Sequence, residues 1–235
     1  MAERSAGSIR ARVRAEITEE IKAAARRRLA TDGADLSLRA VARDLGMVSS
    51  AVYRYFASRD DLLTALIIDA YDAMGRAAEE ADAAHADRTD APGRWLAVAR
   101  AIRAWALARP AEYALTYGSP VPGYAAPRDT VGPATRTTAV LGRILVDAYA
   151  AGRVDPEAGP DTPLPPPLHD EVHRIAELVA PGVPEPVVAR GLVAWTELFG
   201  AISFELFGRF DNTIDARDEW FDHQTRMMIA FLGLR

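Results

Sequence analysis

The chain contains no cysteine. Disulfides, thiolate catalysis and cysteine-ligated zinc are therefore excluded, and nothing points to an oxidising compartment. Long apolar runs are missing too: charge interrupts the apolar stretches every few residues, so no membrane span is expected. No segment alternates at period two for long enough to make a strand, and there is no internal repeat. Neither standard glycine-rich phosphate loop occurs. Ser119 lies in Gly118-Ser119-Pro120, which is not a nucleophile elbow. Residues Met1 to Arg14 alternate arginine with small residues and lack an apolar core segment, so no secretory signal is expected. A soluble cytoplasmic protein follows from these absences.

Hydrophobic residues make up 49% of the 235 and charged ones 26%, enough apolar surface to bury a core and too little charge for global disorder. The net charge of −5 argues at first against nucleic acid, but the charge is unevenly placed. Residues 1–62 hold 12 Lys and Arg against 9 Asp and Glu, a net +3, while the remainder holds 16 against 24, a net −8. A basic head on an acidic body suits a protein that presents one end to phosphates.

Helical periodicity dominates. Ile9, Val13, Ile17, Ile21, Ala25 and Leu29 recur every four residues and predict a first helix from about Ile9 to Thr31, stopped by Asp32-Gly33. Ser37 then caps a short helix, Leu38 to Leu45, ended by Gly46. Ser49 or Ser50 caps a third helix reaching Tyr55 or Phe56. Ser58 caps a long fourth, with Asp60 and Asp61 in its first turn, where the helix dipole favours acids. Further helices are expected from Pro92 to a break at Pro110, over Ala134–Ala151, over Glu185–Phe210 and over Asp215–Leu234. The stretches Tyr117–Pro133 and Asp155–Pro167 read as proline-rich loops. The fold class is all-α: a three-helix helix-turn-helix domain at 1–62 and a larger helical domain at 63–235 that senses a ligand and dimerises.

The sharpest signal lies in Ser37–Phe56. Two short helices around Gly46-Met47-Val48 fit a helix-turn-helix, with Gly46 supplying the left-handed backbone of the turn. Leu38, Val41, Ala42, Leu45, Val48, Val52 and Phe56 are expected to face one core beneath the first helix. Ser49, Ser50, Tyr53, Arg54 and Tyr55 are left to enter a major groove, with Val48 at the turn. Ser37, Arg39 and Arg59 stand where phosphates would pass. The arm from Arg4 to Arg14 is expected to add phosphate or minor-groove contacts.

The run Leu38-Arg-Ala-Val-Ala-Arg-Asp-Leu-Gly-Met-Val-Ser-Ser-Ala-Val-Tyr-Arg-Tyr-Phe-Ala-Ser-Arg-Asp-Asp-Leu-Leu63 resembles the signature of the tetracycline-repressor (TetR) family over about residues 10–63. Arg59 stands where that family usually has lysine, which keeps the cation but replaces a point charge by a planar fork. The segments Trp105–Tyr117, Trp195–Gly200 and Phe204–Arg209 resemble the subgroup named for a Trp-His-Gly motif, with Phe199 at the histidine position. The resemblance implies a repressor that binds a palindromic operator of double-stranded DNA as a homodimer and is relieved by a small-molecule effector.

The last two helices are apolar over more than one stripe, so each must face its own domain and something else. Leu198, Ile202, Leu206, Phe221, Met228 and Phe231 are the expected dimer residues. Gly200 and Gly208 are expected to allow close helix approach. A ligand pocket is expected between helices five to nine, lined by Trp105, Tyr113, Tyr117, Tyr124, Tyr149, Trp195 and Phe199. Few charges fall there, which suggests an apolar or aromatic effector. Its binding should shift the fourth helix, which links the domains.

A metal-dependent enzyme and a non-DNA interaction protein are the rival readings. His169-Asp-Glu-Val-His173 places two histidines one turn apart, but Asp170 rather than glutamate follows the first, and no third ligand is evident. A solvated helix start is the reading adopted. No cofactor, metal or catalytic residue is expected.

Overall fold

The computed structural model describes the backbone of residues 2–33, 36–159 and 162–235, with side chains from residue 9 onward except residue 32. Helix occupies 73% of the chain. Among the described residues there is no strand, only one antiparallel bridge between Val154 and Leu234. The class is all-α, as the periodicity predicts. Among the described residues ten α-helices run in order: α1 (Ala2–Asp32), α2 (Leu38–Asp44), α3 (Ser49–Val52), α4 (Arg59–Ala84), α5 (Ala91–Ala108), α6 (Pro110–Tyr117), α7 (Val131–Ala150), α8 (Pro166–Val179), α9 (Glu185–Leu206) and α10 (Arg217–Leu232).

They form two compact units. The first comprises Met1–Ala70 and Pro110–Thr130, the second Tyr71–Arg109 and Val131–Arg235. The expected boundary at 62/63 falls inside α4, and the first unit is completed by a segment from mid-chain. Its core is built from Ile21, Ala25 and Leu29 of α1, Val41 of α2, Val52 of α3 and Leu62, Leu63 and Leu66 of α4. The apolar stripe of α1 is only half used: Ile9 and Val13 are 51% and 43% exposed. Ser58 caps α4 through its hydroxyl, which accepts the Asp61 N–H at 3.0 Å.

The contribution of α6 to this unit has no forerunner in the sequence reading. Pro110 was expected to end helical structure. It does end α5, but it also opens α6, because proline has no N–H to lose at a first helical position and its φ is already helical. Tyr113 of α6 is fully buried and stacks on Tyr117 with centroids 5.3 Å apart. Arg26 of α1 reaches both Asp69 of α4 and Glu112 of α6. Lys22, the chain's single lysine, bonds Asp69 at 2.8 Å. Farther along, the Tyr124 hydroxyl meets Thr64 Oγ1 at 2.9 Å.

In the second unit, α9 packs on α5, α8 and α10. Among the described residues it is the one helix long and apolar enough to cross a membrane, and its packing makes it a core helix. Gly142 of α7 permits close approach to α8, since a Cβ there would run into the Val179 carbonyl. Gly208 corrects an expectation: α9 stops at Leu206, and Gly208 ends it with φ +70. The Gly208 N–H bonds the Glu205 carbonyl and the Arg209 N–H the Phe204 carbonyl, the closure that a left-handed glycine provides at a helix end.

The most buried charge in this unit is Arg94 of α5, 1% exposed in its side chain, paired with Asp82 of α4 at 4%. Arg94 Nε donates to Asp82 Oδ1 at 2.7 Å and Nη2 to Oδ2 at 3.2 Å. Nη2 also lies 2.9 Å from Asp147 of α7. Burial disfavours the Asp82 carboxylate most, yet hydrogen bonds from Arg94 and Arg88 outweigh it and hold this carboxyl below its ordinary value. Asp82→Ala should cost about 3 kcal/mol, the low end for breaking a buried pair, because the buried guanidinium loses its two-point partner and keeps only the carboxylate of Asp147, and thermal melting of the full chain checks it. A carboxyl lowered on folding stabilises fully above the unfolded carboxylate range and loses its effect as pH falls through the folded value. The gap between wild type and variant should therefore close only in strong acid.

Candidate nucleic-acid interface

The turn after α2 is fixed by backbone chemistry. Gly46 takes φ +63, a conformation that an L side chain reaches only at a cost. Its N–H bonds the Arg43 carbonyl at 3.1 Å, and the Met47 N–H bonds the Ala42 carbonyl at 2.9 Å. These two bonds make a Schellman closure, and Met47 adds its apolar contact by packing against the core. Val48, not a serine, occupies the cap position of α3, and no side chain caps that helix. Serine capping of α3 was expected and does not occur. Helix α3 is also shorter than expected, ending at Val52 with turns through Tyr55. One turn of helix cannot hold itself together. It is held instead by Val52, fully buried, and Phe56, 7% exposed.

This anchoring directs the other side chains outward. Ser50, Tyr53 and Arg54 are exposed and Ser49 is half-buried. Val48, expected to face the core, is instead 71% exposed, because its extended backbone stands ahead of α3, and Tyr53 is 44% exposed. Ser37 is exposed, and its hydroxyl makes no capping bond to α2. Arg39 is exposed beside it. Tyr55 differs from the rest of the expected DNA set, because it is half-buried and packs against the unit's core. The guanidinium of Arg14 sits 4.9 Å over its ring, while Arg14 Nη2 donates to the Arg54 carbonyl at 3.1 Å. Arg14 thus braces the end of the short-helix segment. Arg59 is half-buried, with Nε donating to the Leu36 carbonyl at 3.2 Å. In the arm, Arg10 and Arg12 are exposed, and the side chain of Arg4 lies outside the described residues. Arg28 makes two bonds to Asp44, at 2.6 and 2.7 Å, and holds that carboxyl below its ordinary value.

The expected effector aromatics scatter. Tyr113, Tyr117 and Tyr124 belong to the first unit. Tyr149 is exposed, while Trp105 and Phe199 are buried. Of the seven, Trp195 alone lines an apolar cavity of the second unit, together with Trp95 of α5, Leu141 and Leu145 of α7, Val179 of α8 and Val188 of α9. The cavity is almost wholly apolar and offers about 30 Å³, room for a water or two. The indole N–H of Trp195 has no partner among the described residues. Leu141 and Leu145 were legible as an apolar stripe, but periodicity does not distinguish a cavity wall from a filled core.

The expected dimer residues divide in the same way. Leu198, Ile202 and Phe221 are buried inside the unit, at 3%, 0% and 2%. Leu206, Met228 and Phe231 are half-buried. The apolar side chains that α9, its end and α10 leave exposed are Val193, Phe204, Phe207 and Met227. His169 and His173 both face the Glu185 carboxylate, at 3.0 and 3.5 Å. The His169 hydrogen bond, followed by the charges of both imidazoles, lowers that carboxyl.

An all-α chain whose first unit offers a one-turn helix behind a glycine-closed turn is a helix-turn-helix protein, and the comparisons place it further. Residues 21–66 match the family described as bacterial regulatory proteins, tetR family. Residues 95–228 match the tetracyclin repressor-like C-terminal domain. HTH-type transcriptional regulators Rv1816 of Mycobacterium tuberculosis and Mb1846 of Mycobacterium bovis are each 43% identical over 229 residues, 94% of either chain. The crystal structure of SCO4313 superposes with a TM-score of 0.74 at 35% identity, covering 93% of this chain and 97% of that one. A tetR-family regulatory protein from Rhodococcus RHA1, at 19% identity and a TM-score of 0.62, shares the fold over 93% of this chain and 97% of its own. The chain belongs to the TetR family and is a transcriptional regulator of that family.

Gly46→Ala should lower stability by about 1–2 kcal/mol, the cost of a left-handed backbone with a Cβ. The measurement is chemical denaturation. An unchanged midpoint would mean the turn can reach another conformation freely.

Proposed function

We propose that the protein is a ligand-responsive repressor that binds a palindromic operator as a homodimer and is released by a small apolar or aromatic effector. The observation that carries the DNA half of this reading is the outward face of the segment Val48–Arg54, displayed on a helix that buries Val52 beneath it. Ser49, Ser50, Tyr53 and Arg54 would meet base edges and phosphates in the major groove, with Ser37, Arg39 and Arg59 on the flanking backbone. Tyr55 contributes mainly by setting the position of its neighbours. The reading implies cytoplasmic DNA as the partner and assigns the chain no catalytic step.

Dimerisation is supported by the apolar side chains Val193, Phe204, Phe207 and Met227, which lie exposed on one protomer. A Cβ at Gly200 would meet nothing within 4 Å, leaving room on α9 for a second chain. Leu206, Met228 and Phe231 would complete the contact. Two-fold symmetry would then set the α3 segments about 34–36 Å apart, or a multiple of it, to match successive grooves.

For the effector, the second-unit cavity around Trp195 is the proposed site. At about 30 Å³ it is far below the roughly 300–1,000 Å³ of ligand pockets, so an effector would bind a conformation in which α7, α8 and α9 stand farther apart. Arg136 on α7 bonds Asp72 and Glu79 of α4, at 2.6 and 2.7 Å. Gly75 between them lets α7 come close, since a Cβ there would lie 2.7 Å from Arg136 Cβ. Displacing α7 would therefore pull on α4, and α4 continues into the DNA-binding unit. DNA affinity falls by the effector's preference for the displaced state.

The test is a gel shift of the full-length protein on the DNA upstream of its own gene. Tyr53→Ala with Arg54→Ala should abolish the shift while leaving the solution mass at that of a dimer, and operator binding retained by this variant would defeat the assignment. Raising salt from about 50 to 200 mM should weaken wild-type binding by orders of magnitude, as counterion release requires.

A further inference from the structure

Val48 and Val52 belong to the same short segment, yet Val52 is fully buried and Val48 is 71% exposed. The backbone of Val48 is extended, at φ −69 and ψ 140, so the residue stands ahead of α3. The residue before it, Met47, is half-buried against the core, and the Met47 N–H is bonded to Ala42. The turn is therefore anchored on one side and displays a branched aliphatic side chain on the other. Its exposed neighbours Ser50, Tyr53 and Arg54 can all hydrogen-bond. Val48 cannot.

Against a duplex this difference has a definite consequence. A valine gains nothing from a phosphate, and it is penalised for covering a base donor or acceptor that it cannot satisfy. The major groove offers one apolar feature among its donors and acceptors, the C5 methyl of thymine. Contact between that methyl and the valine removes apolar area from water on both sides and strands no polar group. The β-branched side chain has few rotamers, so little freedom is lost on contact.

We infer that Val48 is a specificity-determining residue that reads the C5 methyl of a thymine at one symmetric position in each operator half-site. This rests on the proposed DNA-binding role of the turn and α3, and adds the base feature that the turn selects.

The experiment is site selection from a random duplex pool with full-length wild type and Val48→Ala. The selected site is then remeasured with deoxyuridine replacing thymine at the position in question. Wild type should enrich thymine at one symmetric position. Val48→Ala should lose that preference alone, with its melting temperature unchanged. Deoxyuridine there should weaken wild type on the order of fourfold per half-site, the effect of one exposed methyl, and leave Val48→Ala unaffected. Identical enriched sites for the two proteins, or an equal deoxyuridine penalty for both, would overturn the inference and leave DNA binding standing. Failure of wild type to enrich any sequence would overturn the DNA-binding reading itself, and this inference with it.

Discussion

The left-handed backbone at Gly46 is the constraint on which the DNA-facing side of this protein depends. It ends α2, lets two N–H groups close back onto Ala42 and Arg43, and sends the chain off at a wide angle. Without that change of direction, the four residues of α3 could not place Val52 in the core and Val48, Ser50 and Tyr53 outside it. A helix of one turn has no stability of its own. Its geometry is borrowed from the unit beneath: the core under Val52 and Phe56, the Met47 contact and the Arg14 brace. The side chains available for recognition are thus as rigid as the domain that carries them, although they lie at its edge.

Such an element was readable because its signals are local. A glycine after an apolar helical pattern, two serines and a buried valine one turn later leave few alternatives. Helices α1, α4, α9 and α10 are readable as long helical stretches, although their ends are less so: α9 stops at Leu206 rather than Phe210 and α1 begins well before Ile9. The failures share a different cause. Pro110 marks both a helix end and a helix start, and only packing against α1 and Tyr113's burial decide that a helix follows. The faces of α9 are not legible in the sequence because the helix is apolar nearly all round. Leu198 and Ile202 face inward and Val193 and Phe204 outward, on opposite sides of the helix, but all four are apolar, so hydrophobicity does not say which side is buried. Seven aromatics were grouped as a pocket by residue type, whereas three of them belong to another unit.

Charge also looks different once its partners are known. All but one of the chain's 28 cations are arginine, and many are committed internally. Arg26 and Lys22 hold Asp69, Arg28 holds Asp44, Arg94 holds Asp82 and Arg136 holds Asp72 and Glu79. The planar fork of arginine suits these two-point contacts with carboxylates. A count of +3 over the first 62 residues therefore measures something other than attraction to phosphate. Several of the cations and acids in that sum cancel in pairs, Arg12 with Glu16 among them, and what remains is set by position: Arg39, Arg43 and Arg54 exposed on and around α2 and α3, Arg10 on the arm and Arg27 farther along α1.

This redistribution bears on how recognition is divided. If the exposed cations near α3 are few, non-specific attraction supplies less of the binding free energy, and base-edge contacts must supply more. The composition of the α3 surface agrees with that demand. It is made of a valine, two serines, a tyrosine and one arginine, short or stiff side chains apart from the last, and they lose little rotamer entropy when a groove closes over them. A surface intended only to hold phosphates would gain from long flexible cations in those places. On the proposed reading the segment would therefore read base edges, with its affinity for the backbone supplied from flanking elements.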